Sequence, residues 1–365
     1  MAVLQHLHFN NPNPDALASV TWQSPSNIAI VKYWGKYGNQ YPQNPSLSFT
    51  LSQAVTQTTV TCTPRNPQPH VPVSAAFSFH GQPNEKFAAK INRYLESVAA
   101  SFPFLYTTHL QIDSANSFPH SSGIASSASG MSALALCLCS LKQHFEPNTQ
   151  LQNHDTFLQT ASYFARLGSG SACRSVYPQA AVWGLCDFLP GSSPDFAIPY
   201  QTHLHPVFHN YADTILLVSS AEKSVSSRAG HNLMNGNPFA PVRYEQANRH
   251  LQQLHGILQS GDLQAFIALT ELEALSLHAL MMTSSPSFLL MRPNTVAVIE
   301  RIRRFRQETG CPVCFTLDAG PNVHVLYPQE VAQQAAAFIK EELLPLCENG
   351  RCIWDKAGNG PVKIG

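Results

Sequence analysis

Charge is the first thing this chain lacks. Only 12% of its 365 residues are charged, 22 basic against 22 acidic, for a formal net charge of zero. No basic stripe points to nucleic acid, and no block of one sign points to a disordered tail. No uninterrupted apolar run reaches membrane-spanning length, and residues 1–6 lack the basic and apolar regions of a secretory signal. An even set of closely spaced cysteines is also missing. The nine present are scattered, mostly in apolar segments, as expected of reduced, buried thiols in a cytoplasm. What remains is a chain that is 44% apolar and long enough for two ordinary domains. Its 27 prolines crowd residues 64–72 and 190–206 and mark loops there, the first expected on the surface.

The stretch that organises the rest is Phe118-Pro119-His120-Ser121-Ser122-Gly123-Ile124-Ala125-Ser126-Ser127-Ala128-Ser129-Gly130. It leads into Met131 to Leu138, which read as a buried helix. Small, hydroxylated residues opening a helix suit an anion. The backbone approaches closely, the first N–H groups are free, and the positive end of the helix dipole adds attraction. Serine hydroxyls add donors and can reach a metal ion.

Read in order, residues 1–20 form a polar leader, and Ile28 to Val31 begin a buried strand. Lys32-Tyr33-Trp34-Gly35-Lys36 then carries positive charge to the edge of a site; taken alone, Lys32 is simply a strand-end lysine. Strands are expected at 44–52, 55–63, 75–79 and 107–113, with a helix at 87–99. A helix over 156–167 ends at Gly168-Ser169-Gly170-Ser171-Ala172-Cys173-Arg174-Ser175, where the guanidinium suits two-pronged grip of a carboxylate or phosphate. A strand at 180–185 follows. His203, His205 and His209 lie in a Pro-rich segment without acidic or Cys neighbours, which reads as a loop rather than a metal site.

A strand at 214–219 opens the second half, giving domains of 1–205 and 206–365. Glu222-Lys223-Ser224-Val225-Ser226-Ser227-Arg228 is basic and hydroxylated. Helices are expected at 244–258, 262–282, 294–307 and 330–346. Cys311-Pro312-Val313-Cys314 has redox-motif spacing but runs into Phe315, so it reads as a strand with two thiols. That strand, 314–317, delivers Asp318-Ala319-Gly320-Pro321-Asn322, and 323–327 returns. Ser129 alone reads as a helix cap and His278 as a satisfied core histidine. Strands and helices mix without strict alternation, an α+β pattern. One carboxylate, Asp318, stands among several anion-binding segments. Such a set suits an ATP-dependent reaction on an anionic substrate, with the carboxylate as base.

These segments carry a family resemblance: Asn27-Ile28-Ala29 with Lys32 to Lys36; Ser46-Leu47-Ser48 with Thr50-Leu51; and Gly123 to Ala128. Further on come Gly168 to Ser175; Val225 to Arg228; Leu277-His278-Ala279 with Met281-Met282; and Asp318 to Asn322. In this order the chain resembles the GHMP small-molecule kinases and, within them, the mevalonate diphosphate decarboxylases. The resemblance implies a two-domain GHMP-kinase-like fold: a ribosomal-protein-S5-domain-2-like N-terminal domain and an α+β C-terminal domain, with the active site between them. It implies ATP, Mg²⁺ and a small-molecule substrate, (R)-5-diphosphomevalonate, which is phosphorylated at the C3 hydroxyl and then loses phosphate and carbon dioxide. Asp318, Arg174 and Lys223 would be catalytic, with Arg174 on the substrate carboxylate. Tyr33, Lys36, Ser169, Gly170, Ser171 and Arg228 would bind substrate. Ser122, Gly123, Ala125, Ser126 and Ser127 would bind ATP, with Ser126 within reach of the metal. A cytoplasmic homodimer is the family expectation.

The chain departs from the family at His120, Ser121 and Ser122, where Thr and alanines are usual, and at Arg292, in a region often apolar or aromatic. Three rivals stay open: a decarboxylase of the 5-monophosphate, a kinase that stops at the 3-phosphate, and a non-catalytic binding protein of the same fold. Relatives of the kinase type lack an aspartate at the Asp318 position.

Overall fold

The computed structural model describes residues 16–67, 73–119, 124–221 and 224–364. In the first half the elements are β1 (Ala18–Val31), β2 (Lys36–Tyr37), β3 (Tyr41–Pro42), β4 (Ser46–Pro64), β5 (Ser74–Phe79), β6 (Gln82–Pro83), α1 (Glu85–Val98), β7 (Thr108–Asn116), α2 (Ser126–Phe145), α3 (His154–Gly168), β8 (Ala180–Trp183) and β9 (Ala197–Pro199). The second half holds β10 (Ala212–Leu216), α4 (Ser227–Asn232), α5 (Ala240–Ser260), α6 (Leu263–Met282), α7 (Pro293–Thr309), β11 (Cys314–Thr316), β12 (Val323–Tyr327), α8 (Ala332–Phe338), β13 (Cys352–Lys356) and β14 (Val362–Lys363).

The main sheet runs β14-β1-β4-β7-β5-β6, with β8 on the first part of β4 and β9 beyond it; the second runs β11-β12-β10-β13. β5 and β7 are parallel, and the other pairs are antiparallel. The two strands expected at 44–52 and 55–63 are one long strand, β4, with an irregularity in the middle. Its register with β1 jumps from Pro25↔Val55 to Asn27↔Thr50. The amides freed by this bulge are met by Asp355 of β13, whose carboxylate accepts from Ser52 (2.7 Å), Gln53 (2.8 Å) and Ala54 (2.7 Å). The second sheet is thereby stitched to the first. β14 makes a second stitch, pairing Trp22↔Lys363 and Gln23↔Val362.

α2 is buried on almost every side, as its run of Ala, Leu, Cys and small hydroxyls requires. Its buried hydroxyls find partners in the sheet: Ser132 with Ser24 at 2.7 Å, and Ser129 with Thr56 at 2.6 Å. Ser129 therefore ties the helix to β4 and is not its cap; Ala125 occupies that position. α6 is long and apolar enough to cross a membrane, contrary to the expectation that no segment is. It is nevertheless mostly buried, and it carries Glu271 and Glu273, each paired inside the protein with basic side chains. The helix expected at 330–346 is α8 followed by a wider turn over Ile339–Leu343 and a tight one over Leu344–Leu346. The polar leader overlaps β1, which begins at Ala18; residues 1–15 lie outside the described residues, as do 68–72 of the Pro-rich loop. All nine cysteines are unpaired thiols. Cys314 opens β11 and Cys311 precedes it, both buried. Among the described residues no group of His, Cys, Asp and Glu is arranged to hold a metal ion.

Candidate active site

One cleft of about 320 Å³ lies where the ends of β1, α2, α3, α4 and β11 converge. α2 begins at Ser126 behind Ala125, whose φ of 43° is left-handed, and its first turn carries no acidic side chain. The positive end of the helix is therefore uncompensated by the helix itself. Ala125, Ser126 and Ser127 line the cleft, and Ser127 Oγ lies 3.2 Å from Ser169 Oγ on the turn after α3.

Gly168, Ser169, Gly170 and Ser171 form the opposite lip. Gly170 is there because nothing larger fits. A Cβ would lie 2.8 Å from the Trp183 ring and 2.8 Å from the Tyr33 hydroxyl. Tyr33 packs edge-on to Trp183, with ring centres 4.7 Å apart, and burial pushes its phenol pKa up. Arg174 is buried to 2% exposure. Its Nε donates to Ser48 Oγ (2.9 Å), one Nη to Ser46 Oγ (2.6 Å) and the other to Asn27 Oδ1 (3.4 Å). Asn27 is fixed in turn by donating to Ser171 O and Ser175 Oγ. Every one of these partners is neutral, and no described carboxylate forms an ion pair with Arg174. Burial lowers its pKa, but a guanidinium keeps its proton. The result is a rigid, buried cation at the cleft that sits in no ion pair among the described residues and feels the charge of Asp318 at longer range.

Asp318 is the only carboxylate among the described residues that line the cleft. Its Oδ1 lies 3.3 Å from Lys32 Nζ. Lys32 is not the exposed strand-end lysine its local sequence suggests. Its side chain is only 2% exposed, and Nζ also donates to the Ala29 carbonyl. Burial lowers its pKa, and Asp318 partly restores it. The Lys32 amide donates to Glu273 Oε2 at 2.8 Å, and Glu273 is held by Arg243 and His250. His278 is the satisfied core histidine expected. Burial lowers its pKa to about 4, so it is neutral, and Nε2–H donates to the Asp318 carbonyl at 3.1 Å.

Three further cations, Lys36 on β2, Arg228 on α4 and Lys90 on α1, line the cleft among neutral and aromatic residues. Lys36 Nζ donates to Gln40 Oε1 (2.8 Å), and no described carboxylate pairs with any of the three. Burial lowers the pKa of both lysines, and Arg228 pushes each further down. Asp318, Arg174, Tyr33, Lys36, Ser169, Gly170, Ser171, Arg228, Ala125, Ser126 and Ser127 thus meet at one cleft. Ser122, Gly123 and Lys223, together with the departures at His120 and Ser121, lie outside the described residues. Lys32 as a partner of Asp318, and Lys90 altogether, escaped the sequence reading. The one local hint for Lys90 was its place three residues after Phe87, on the same helix face.

Among the described residues, a helix N-terminus beside serine hydroxyls, a bank of cations in no ion pair and a single carboxylate, in a cleft between two α+β halves, define an enzyme of phosphoryl transfer to small molecules. Residues 24–187 match the diphosphomevalonate decarboxylase-like N-terminal domain family, and residues 214–362 the mevalonate 5-diphosphate decarboxylase C-terminal domain family. The diphosphomevalonate decarboxylase of Aspergillus fumigatus is 30% identical over 348 residues, 90% of this chain and 81% of that protein. The mevalonate diphosphate decarboxylase of Staphylococcus aureus superposes with a TM-score of 0.78 at 28% identity, over 95% of this chain and 98% of that one. A structure of MDDEF with MVAPP, AMPPCP and magnesium gives the same TM-score, identity and coverages. The chain belongs to the diphosphomevalonate decarboxylase family and has its two-domain, GHMP-kinase-type fold.

Proposed function

We propose that this cleft carries out the ATP-dependent decarboxylation of (R)-5-diphosphomevalonate to isopentenyl diphosphate, with release of ADP, phosphate and carbon dioxide. One observation carries the reading. Among the described residues, the one carboxylate of the cleft, Asp318, and a buried cation in no ion pair, Arg174, line the same cavity, where the charge of Asp318 acts on Arg174. Asp318, held against Lys32, takes up or orients the proton of the C3 hydroxyl as that oxygen attacks the terminal phosphoryl group. Arg174 holds the carboxylate about to leave, with Ser46, Ser48 and Asn27 fixing its plane. Tyr33, Lys36, Ser169, Ser171 and Arg228 hold the 5-diphosphate, and Gly170 lets Tyr33 reach it.

The residues at the start of α2 fit a nucleotide. Ser126, Ser127 and the first helical amides are donors with no acidic neighbour in that turn. When bound with ATP, Mg²⁺ would neutralise charge on the phosphates, and Ser126 is the residue of this turn that would reach it. Lys223 is assigned to the transferred phosphoryl group on the family resemblance alone. The division at 205/206 is supported by the gap between the two matched family ranges. A reducing, cytoplasmic setting is supported by nine unpaired cysteines. A homodimer is supported by the resemblance, and light scattering tests it.

The deciding experiment offers Mg-ATP with mevalonate, its 5-phosphate and its 5-diphosphate, and measures ADP and carbon dioxide. Carbon dioxide and ADP in equal amounts from the 5-diphosphate are expected. Carbon dioxide from the 5-phosphate alone, ADP without carbon dioxide, or neither product would each overturn the reading.

A further inference from the structure

Lys36 is carried by a short hairpin whose own contacts are few: Lys36 Nζ to Gln40 Oε1, the Tyr37–Tyr41 stack, and the Gly35 amide on His231 Nδ1 at its base. β2 and β3 have two residues each, and their pairing is limited to Lys36↔Pro42 and Tyr37↔Tyr41. A single further backbone bond, Gln43 to Gly35 at 3.3 Å, closes its base. Arg228 and Lys90 line the same cleft and repel Lys36. Something outside the hairpin must help to hold it.

That something is Arg166, in the last turn of α3, with 1% of its side chain exposed. Its Nη1 donates to Asn39 O at the hairpin tip (2.5 Å) and its Nε to Asp195 O (2.6 Å). Its guanidinium lies over the Tyr41 ring at 4.5 Å, and Tyr41 Oη donates to Asp195 Oδ1 at 2.9 Å. The neighbouring carbonyl of Pro194 is pinned by Trp183 Nε1 at 2.9 Å. One planar cation therefore spans the hairpin and the 194–195 loop. A lysine in its place cannot reproduce the fork or the stacking.

We propose that Arg166 is a positioning residue: it latches the β2–β3 hairpin so that Lys36 faces the cleft, and through Lys36 it sets the affinity for the 5-diphosphate end of the substrate. The proposal rests on the assignment of Lys36 as a ligand of that group.

Three variants test it: Arg166→Lys, Lys36→Gln and the double variant, with steady-state kinetics in each substrate. Arg166→Lys should raise KM for diphosphomevalonate about tenfold, with kcat and the KM for ATP within about twofold of wild type. In the Lys36→Gln background the same change should add nothing, because the group being positioned is gone. Additive effects, or an equal rise in the KM for ATP, would overturn the latch while leaving Lys36 a ligand. A wild-type KM in Lys36→Gln alone would remove the assignment of Lys36 and the latch with it. Should Arg166→Lys fail to fold, Tyr41→Phe carries the same cycle. About threefold is expected there, and a wild-type KM would overturn the proposal.

Discussion

Two buried arginines flank the Gly168–Ser171 turn, and they sit in opposite situations. Arg166 donates to two backbone carbonyls and stacks on tyrosine, with Asp195 3.6 Å from it. Among the described residues Arg174 hydrogen-bonds to neutral groups only, and it lines the cleft, where the charge of Asp318 reaches it. Burial alone does not separate them. What separates them is whether the fold has already supplied the partner a guanidinium needs. A cation satisfied inside the protein holds structure. One left without an ion-pair partner in a rigid cradle, its desolvation cost already met on folding, is organised for an anion from outside.

The sharpest way to break this comparison is to remove the carboxylate that shares the cleft with Arg174. Asp318→Asn keeps the size of the side chain and should lower kcat by about 10³-fold, since proton transfer contributes on that scale. ADP and carbon dioxide should fall together while the protein still folds, with some loss of stability from the unpaired Lys32. Turnover within tenfold of wild type would remove Asp318 from the chemistry. The next largest effect is expected at Arg174. Arg174→Lys retains a charge but not the fork held by Ser46, Ser48 and Asn27, and kcat/KM for the decarboxylated substrate should drop about 10²-fold while ATP binding holds. If ATP binding suffers more than substrate handling, Arg174 serves the wrong ligand and the contrast with Arg166 collapses.

Much of this contrast was legible before any coordinates. Asp318, Arg174, Lys36, Arg228 and the Ser126–Ser127 turn are conspicuous because polar or glycine-rich segments interrupt apolar ones, and those interruptions do converge on one cleft. What escaped reading depends on long-range geometry. Lys32 looks like any lysine after a strand; only the fold brings it to Asp318. Lys90 reads as one helix position among many. The β4 bulge is invisible because its amides are satisfied by Asp355, which lies about 300 residues further along the chain. Glu271 and Glu273 interrupt α6 in the sequence, but the Arg303, Arg306, Arg243 and His250 partners that let them be buried come from other helices. Arg166, read locally, was merely the residue before Leu167.

A third, smaller effect sharpens the satisfied side of the comparison. His278, like Arg166, has its partner within the fold, the Asp318 carbonyl. Burial holds its pKa down to about 4, below the ordinary 6.5. As pH falls from 6.5 toward 4, the unfolded chain takes up a proton that the native state refuses, so stability drops across that window and is fully present above it. By pH 4.5 the loss amounts to about 2–3 kcal/mol. His278→Gln should lose less stability than wild type between pH 7 and pH 4.5, by that amount, in urea unfolding. Equal losses in the two proteins would mean His278 is not the buried neutral group described.

The smallest expected effect lies between the two arginines themselves. Gly170→Ala puts a methyl 2.8 Å from both the Trp183 ring and the Tyr33 hydroxyl. Trp183 cannot give way easily: it is fully buried, its indole N–H is bonded to Pro194 O, and that loop is the one Arg166 clamps. Tyr33 borders the cleft and must move instead. Overpacking of this kind costs about 1–2 kcal/mol of stability. The kinetic signature should be a rise of about threefold in KM for diphosphomevalonate, with kcat less affected, because the role proposed for Tyr33 is on the diphosphate and not on C3. A fall in kcat at unchanged KM would put Tyr33 on the reacting end of the substrate. The turn between the arginines would then serve the chemistry of Arg174 directly, and not the binding pocket that Arg166 holds in place.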